Sequence, residues 1–140
     1  MVPLDNLASN GKRVWSFTID SFLMNVVYLV VVYDRIALLK TPEEILYFAK
    51  ETSWILAVIN LLYHTFFTWQ SGKTLGKHIM KIKTVSITDG TLLSFPMALL
   101  RSLVRVVDEA FFYIGFLPAF FSATRQTLHD RVSGSVVVNA

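Results

Sequence analysis

A single carboxylate in the middle of a long apolar run constrains this chain more than any other feature. Residues Val14 to Tyr33 are twenty residues with one charge, Asp20. Twenty helical residues rise about 30 Å, the thickness of a bilayer's hydrocarbon core. A charge at that depth costs about 3 kcal/mol on insertion scales, so it has to be satisfied by partners inside the protein. Arg13 lies two helical turns earlier, on the same face of the helix. The sequence therefore specifies a membrane helix with a polar stripe, and such a stripe needs neighbours.

Composition agrees. The chain has 140 residues, 54% of them hydrophobic, with a mean hydropathy of +0.52. That is apolar for a soluble domain of this size, and the length allows one domain. Trp15, Tyr33, Trp54 and Trp69 stand near the ends of apolar runs, as in interfacial aromatic belts. With no cysteine there is no disulfide framework, zinc-thiolate site or thiol nucleophile. The first apolar run is too long for a signal h-region and has no small-residue cleavage site behind it, so it is expected to be retained. The basic pI of about 9.3 comes from residues beside the apolar runs. It points to anionic headgroups of the lipid bilayer as partner, and not to nucleic acid.

A second span is expected from about Thr52 to Trp69. Thr41, Pro42 and Glu44 before it read as N-cap, N1 and N3 of a helix. The loop from Asp34 to Glu51 carries three basic and four acidic residues, whereas that from Gln70 to Thr91 carries four lysines against Asp89 alone. By the positive-inside rule the second loop is cytoplasmic, and so is the N-terminus with Lys12 and Arg13. Lys73, Lys77, Lys81 and Lys83 are expected to face headgroups. Ile79 to Thr88 reads as a strand ending in an Asp89-Gly90 turn, and Ser135 to Val138 as a second. Pairing of the two would place the C-terminus in the cytoplasm as well.

Leu92 to Thr124 is too long for one straight span and is interrupted by Arg101, Arg105, Asp108 and Glu109. A hairpin of two short helices is expected, the alternative being an interfacial helix followed by one crossing. The chain also echoes itself. Arg13 and Asp20 have the same spacing as Arg101 and Asp108, and Thr74-Leu75 and Thr127-Leu128 each precede a β run. This order suggests a parallel repeat.

Several of these residues carry a family resemblance. Arg13, Asp20 and Asp130, with Gly72-Lys73-Thr74-Leu75-Gly76-Lys77 and the closing Ser133-Gly134-Ser135-Val136-Val137-Val138, resemble the RDD family of bacterial integral membrane proteins. That family is named for one arginine and two aspartates. The likeness runs from about Ala8 to Val138, as one transmembrane domain over residues 1–140. Ser135 stands where the family ending is threonine-like. The resemblance implies the bacterial cytoplasmic (inner) membrane, and it brings an association with transport that includes cation/proton antiport.

The polar residues have two readings. Asp20 could exchange a proton or cation, since burial raises a carboxylate's pKa. Alternatively it pairs with Arg13 or another arginine and locks the helices. At its depth the second span offers Asn60 and His64, on one helix face. Arg101, Arg105 and Asp108 fall on neighbouring positions and read as an interfacial helix with snorkelling arginines or as a polar pathway. Asp130 is expected to hold backbone N–H groups or a lysine of the Lys73–Lys83 loop. Gly72 to Lys77 lacks the spacing of a phosphate loop, and no metal site, other cofactor or hydrolase arrangement is legible, so no enzyme is expected. The expected fold is an all-α membrane protein. It is a small bundle of three to four transmembrane or re-entrant helices with a short cytoplasmic β element, completed by a homo-oligomer or partner membrane subunits. Three functions stay open: a monovalent cation/proton exchanger, an accessory or scaffold subunit, and a lipid-headgroup binder.

Overall fold

The computed structural model describes residues 1–111 and 114–140. Helix α1, Asn10–Ile36, starts where Ser9 accepts the amide of Lys12, as an N-cap should. Its 27 residues exceed the expected span at both ends, about 40 Å of helix. One stripe is buried (Ser16, Asp20, Met24, Tyr28 and Val32). The i, i+4 spacing puts these on a single face, while Phe22, Val30 and Val31 stay exposed.

The second apolar segment is broken. Helix α2, Pro42–Glu51, has the expected cap, with Thr41 accepting the amide of Glu44 and Pro42 in the first turn. It meets α3, Ser53–Gln70, at a 49° bend. The break falls at Thr52, whose hydroxyl donates to Phe48 O and lies against the Tyr28 hydroxyl of α1. A threonine side chain that bonds back along a helix favours such a bend. α1 is long and apolar enough to cross a membrane, and α2–α3 taken as one bent element is a second candidate.

After α3 the chain makes a short helix, α4, Leu75–Ile79, capped by Thr74, and then strand β1, Ile82–Ser86. The strand is shorter than expected because its first residues are spent on α4. Helix α5, Phe95–Ala110, follows. Beyond it lie a 3-10 turn at Ile114–Phe116, the four-residue helix α6, Pro118–Phe121, the five-residue helix α7, Leu128–Val132, and strand β2, Ser135–Asn139. Of the hairpin expected in 92–124, α5 is the one long helix among the described residues: no described helix after Ala110 exceeds five residues. Gly115 and Pro118 break this stretch, and a helix that short cannot cross a bilayer.

The strands pair antiparallel, as expected, and Leu7 bridges to Val138 on the other side of β2. The Ala8 amide donates to Val137 O. The start of the chain, the segment between α3 and α5, and the chain's end thus gather at one end of the molecule. Leu7, Val85, Val136 and Val138 form one small core on the sheet, and Ala8, Ile82 and Val137 another.

The register also exposes a repeat. Thr127 lies 53 residues after Thr74, and Val137 lies 53 after Thr84; Thr84 and Val137 are directly paired. Ile82 and Asn139 pair as Ser86 and Ser135 do. A pseudo-two-fold axis through the Thr84–Val137 pair exchanges α4–β1 with α7–β2. Both short helices are threonine-capped. Each is followed at the same repeat position by a left-handed residue, Lys81 (φ 56°) and Gly134 (φ 60°). Lysine tolerates that conformation worse than glycine. Lys81→Gly should raise the thermal midpoint in detergent, and Gly134→Ala should lower stability by about 1 kcal/mol. A null effect at either site, or a change of the other sign, would break the equivalence.

Candidate functional site

The polar residues converge where α1, α5, α4 and α7 meet. Asp20, fully buried, is held by three donors. Its Oδ1 accepts the Tyr63 hydroxyl at 2.7 Å and the Gly76 amide at 2.9 Å, and its Oδ2 accepts the Thr74 hydroxyl at 2.6 Å. Thr74 caps α4 with the same hydroxyl oxygen, which accepts the Lys77 amide. Neither Arg13 nor another arginine pairs with Asp20, contrary to the expected ion pair. Charge-assisted bonds to hydroxyls and a helix-start amide satisfy a carboxylate without a buried cation. Gly76 is required by the approach: a methyl group there would lie 2.3 Å from Ser16 O and 2.9 Å from the Asp20 carboxyl.

Arg13 belongs to the second aspartate. Asp130 is fully buried. Its Oδ2 accepts Arg13 Nη2 at 2.6 Å and the Thr127 amide at 3.0 Å, and its Oδ1 accepts Arg101 Nη1 at 2.8 Å. Thr127 returns the favour through its hydroxyl, which accepts the Asp130 amide, closing a capping box at the start of α7. Arg13 also donates to Arg125 O. Asp130 thus does hold a backbone N–H, as expected, but its charged partners are two arginines and not a lysine of the 73–83 loop. Burial alone would raise its pKa; Arg13 and Arg101 overcome this and hold the carboxyl far below the usual range.

The other expected residues sort as follows. Arg101, Arg105 and Asp108 are all buried on the inner face of α5, so its arginines do not snorkel outward. Asp108 Oδ1 accepts the Gly115 amide at 2.9 Å, and a methyl group at Gly115 would strike that carboxyl at 2.1 Å. Arg105 stacks over the rings of Phe17 and Phe116, with its guanidinium carbon 5.4 and 6.0 Å from their centroids. Asn60 and His64 are buried on α3, but Asn60 donates to Leu56 O of its own helix. The residue that reaches Asp20 is Tyr63, one position before His64. Lys73 and Lys83 are half-buried and Lys81 is exposed. Lys77 does not face headgroups: it is buried, with Nζ 2.6 Å from Thr84 Oγ1. The cause is α4, which packs under α1 with Gly76 and Lys77 inward. Among the described residues no three His, Asp or Glu side chains gather to hold a metal ion.

His129 went unread in the sequence as a site residue. It is the repeat equivalent of Gly76, 53 positions on, and faces Asp108 as Gly76 faces Asp20. Its Nδ1 lies 3.8 Å from Asp108 Oδ2, and neither atom has a hydrogen bond. Burial, with Arg101 and Arg105 nearby, lowers its pKa to about 3 against the pull of Asp108 and Asp130. The ring is therefore neutral, and its approaches to the two carboxylates are not ion pairs.

A small cavity lies between these groups. Its volume is about 80 Å³, and its wall includes Arg13, Asp20, Lys77, Arg101, Arg105 and His129.

Two outcomes follow for stability. Gly76→Ala should destabilise by about 1–3 kcal/mol through the forced clash, whereas Gly11→Ala, with nothing closer than Ser9 Oγ at 4.0 Å, should be nearly silent in the same thermal melts. His129 binds a proton in the unfolded chain below its ordinary value of 6.5 but in the folded protein only near 3. The unfolded state therefore holds more protons between those values, so stability should rise with pH across that window. His129→Gln should flatten the rise; an unchanged slope would mean that His129 is not buried neutral.

The chain is 34% identical over 89 residues to the "Proline-rich antigen homolog" of Mycobacterium tuberculosis, a match covering 61% of this chain and 37% of that one. It is 32% identical over 85 residues to the "Proline-rich antigen" of Mycobacterium leprae, covering 60% and 34%. The chain thus spans little more than a third of these mycobacterial relatives. It is also 25% identical over 131 residues to the "Uncharacterized membrane protein YteJ" of Bacillus subtilis, covering 91% and 77%. No solved structure matches. The profile of the RDD family matches residues 7–134, from the bridge residue Leu7 to the left-handed Gly134 and across both aspartate clusters: the chain belongs to the RDD family, a family of membrane proteins.

Proposed function

We propose that this chain is an anchoring and assembly module of the bacterial cytoplasmic membrane and not an ion exchanger. The observation that carries the reading is the state of Asp20. Both its oxygens are taken, by two hydroxyls and one amide, from α3 and from the start of α4. A carboxylate that loads and releases an ion needs an oxygen open to the path. Protonating Asp20 would strip an acceptor from the donors that fasten α3 and α4 to α1. Asp130 is committed in the same way to α1 and α5. These carboxylates act as fasteners of a membrane unit.

Two further facts support the module reading. In the mycobacterial relatives the matching stretch is a minor part of a longer chain. The outer faces of α1 and α3 also leave Phe22, Val30, Val31, Leu62 and Phe66 exposed, surfaces suited to lipid or to the helices of a second copy or partner subunit. In this reading the chain is multi-pass, catalyses no reaction, and keeps both termini with the basic 73–83 segment in the cytoplasm.

Purified protein in proteoliposomes should conduct Na⁺, K⁺ or H⁺ no faster than empty liposomes under an imposed gradient. Cation-coupled proton flux that Asp20→Asn abolishes would overturn the reading. Topology is tested separately. The chain lacks cysteine, so single cysteines can be placed freely. Asp5→Cys and Ala140→Cys should resist an impermeant thiol reagent in intact cells, and Lys40→Cys should react. Labelling of Ala140→Cys alone among the two termini would contradict a sheet that joins both ends of the chain.

A further inference from the structure

The central cavity has an imbalance of charge that the fastening role does not use. Four basic side chains, Arg13, Lys77, Arg101 and Arg105, stand on its wall against one acid, Asp20. The oxygens of Asp20 are occupied by uncharged donors, so it neutralises none of the four directly. Asp130 takes one N–H from Arg13 and one from Arg101, but a guanidinium carries five donors in a fixed fork. Arg105 is the least satisfied. Its side chain is 9% exposed, its Nε makes no hydrogen bond, and its ion pair, to Glu109 Oε1 on the same helix, is long at 3.5 Å. Among the described residues Lys77 Nζ has a hydrogen bond to Thr84 Oγ1 and no ion pair. Burial and the neighbouring Arg101 and Arg105 push its pKa well down, as an electropositive site would. Two arginines thus share one carboxylate, Arg105 has a single long ion pair and Lys77 has none among the described residues; buried cations so incompletely compensated are costly, and the group that relieves them is an anion.

Size and shape narrow the class of anion. About 80 Å³ is room for on the order of five water-sized atoms, which suits the oxygens of one phosphate group. Arginine forks match phosphate geometry. The exposed lining residues are apolar, Val14 on α1 and Phe120 on α6, so the polar interior opens beside an apolar rim. The wall is also drawn from both repeat halves, with Arg13 and Lys77 from one and Arg101 and Arg105 from the other.

We propose that this cavity binds a phosphate group, with Arg105 and Lys77 as its principal ligands and the spare donors of Arg13 and Arg101 completing the shell. The group belongs either to a lipid headgroup entering past Val14 and Phe120 or to a free phosphate anion. The site is distinct from Lys73, Lys81 and Lys83, which do not line the cavity.

The test uses the full chain in nanodiscs of zwitterionic phosphatidylcholine. Inorganic phosphate is titrated against it in one arm, and phosphatidic acid is added to the bilayer in the other, with the thermal midpoint and bound phosphorus as readouts. Wild type should be stabilised in at least one arm. Stabilisation by phosphatidic acid alone identifies a headgroup, and by inorganic phosphate as well, a free anion. Arg105→Gln should weaken the effect by about tenfold or more, the loss of one charge-assisted contact. Should Arg105→Gln fail to fold, Asn10→Asp decides: it sets a negative charge on the wall at a helix start that tolerates it, and should weaken binding similarly. Arg35→Gln, outside the cavity, should bind as wild type does. No stabilisation in either arm, or equal binding by wild type and a folded wall variant, would overturn the proposal.

Discussion

The fold depends on one buried carboxylate held by two arginines from different helices. Asp130 sits at the start of α7, takes Arg13 from α1 and Arg101 from α5, and caps its own helix through Thr127. Burying three charges in an apolar bundle is strongly unfavourable unless each has its partner. Here the partners come from positions 13, 101 and 130, so the interaction can form only when the ends and the middle of the chain have come together. The strand pairing of β1 with β2 and the bridge from Leu7 to Val138 then follow from the same meeting point. Asp20 makes the equivalent connection for the first half, tying α3 and α4 to α1 without any cation.

These two solutions show how a duplicated frame diverges. The halves share a threonine-capped short helix, a left-handed residue and a strand, related by an axis through Thr84 and Val137. At the repeat position after Gly76 and His129 stand Lys77 and Asp130, a cation in one half and an anion in the other. Asp130 draws arginines from both halves, while Lys77 is left with a hydroxyl. The electropositive cavity is the consequence of this exchange. The long helices differ too: the first half keeps α3 as a return helix, and the second breaks into the pieces around Gly115 and Pro118.

Much of this was legible in the sequence, for identifiable reasons. The twenty-residue run around Asp20 gave α1 by length and hydropathy, Thr41-Pro42-Glu44 gave the start of α2, and β-branched runs gave both strands and their pairing. The equal spacing of Arg13–Asp20 and Arg101–Asp108 revealed the repeat. The partners of the buried charges were not legible. Helical periodicity ranks residues on their own helix, so it pointed to Asn60 and His64, whereas contact with Asp20 depends on rotation about the α3 axis and selected Tyr63. Lys77 read as a headgroup ligand because loop lysines usually are; only the tight passage of Gly76 beneath Ser16 turns it inward. The hairpin expected in 92–124 rested on segment length, which does not reveal where glycine and proline break it. His129 carried no signal in the sequence beyond its place in the repeat.

The most direct test of this account is a pair of double-mutant cycles on folding stability in detergent, with Arg13→Gln common to both. Combined with Asp130→Asn, Arg13→Gln should be strongly non-additive, by about 1 kcal/mol or more, since the two groups form one buried contact. Combined with Asp20→Asn, it should be additive within about 0.5 kcal/mol, because Asp20 is held by Tyr63, Thr74 and Gly76 and shares no bond with Arg13. The reverse pattern, with coupling to Asp20 and additivity with Asp130, would contradict the arrangement of the two aspartates on which the whole account stands.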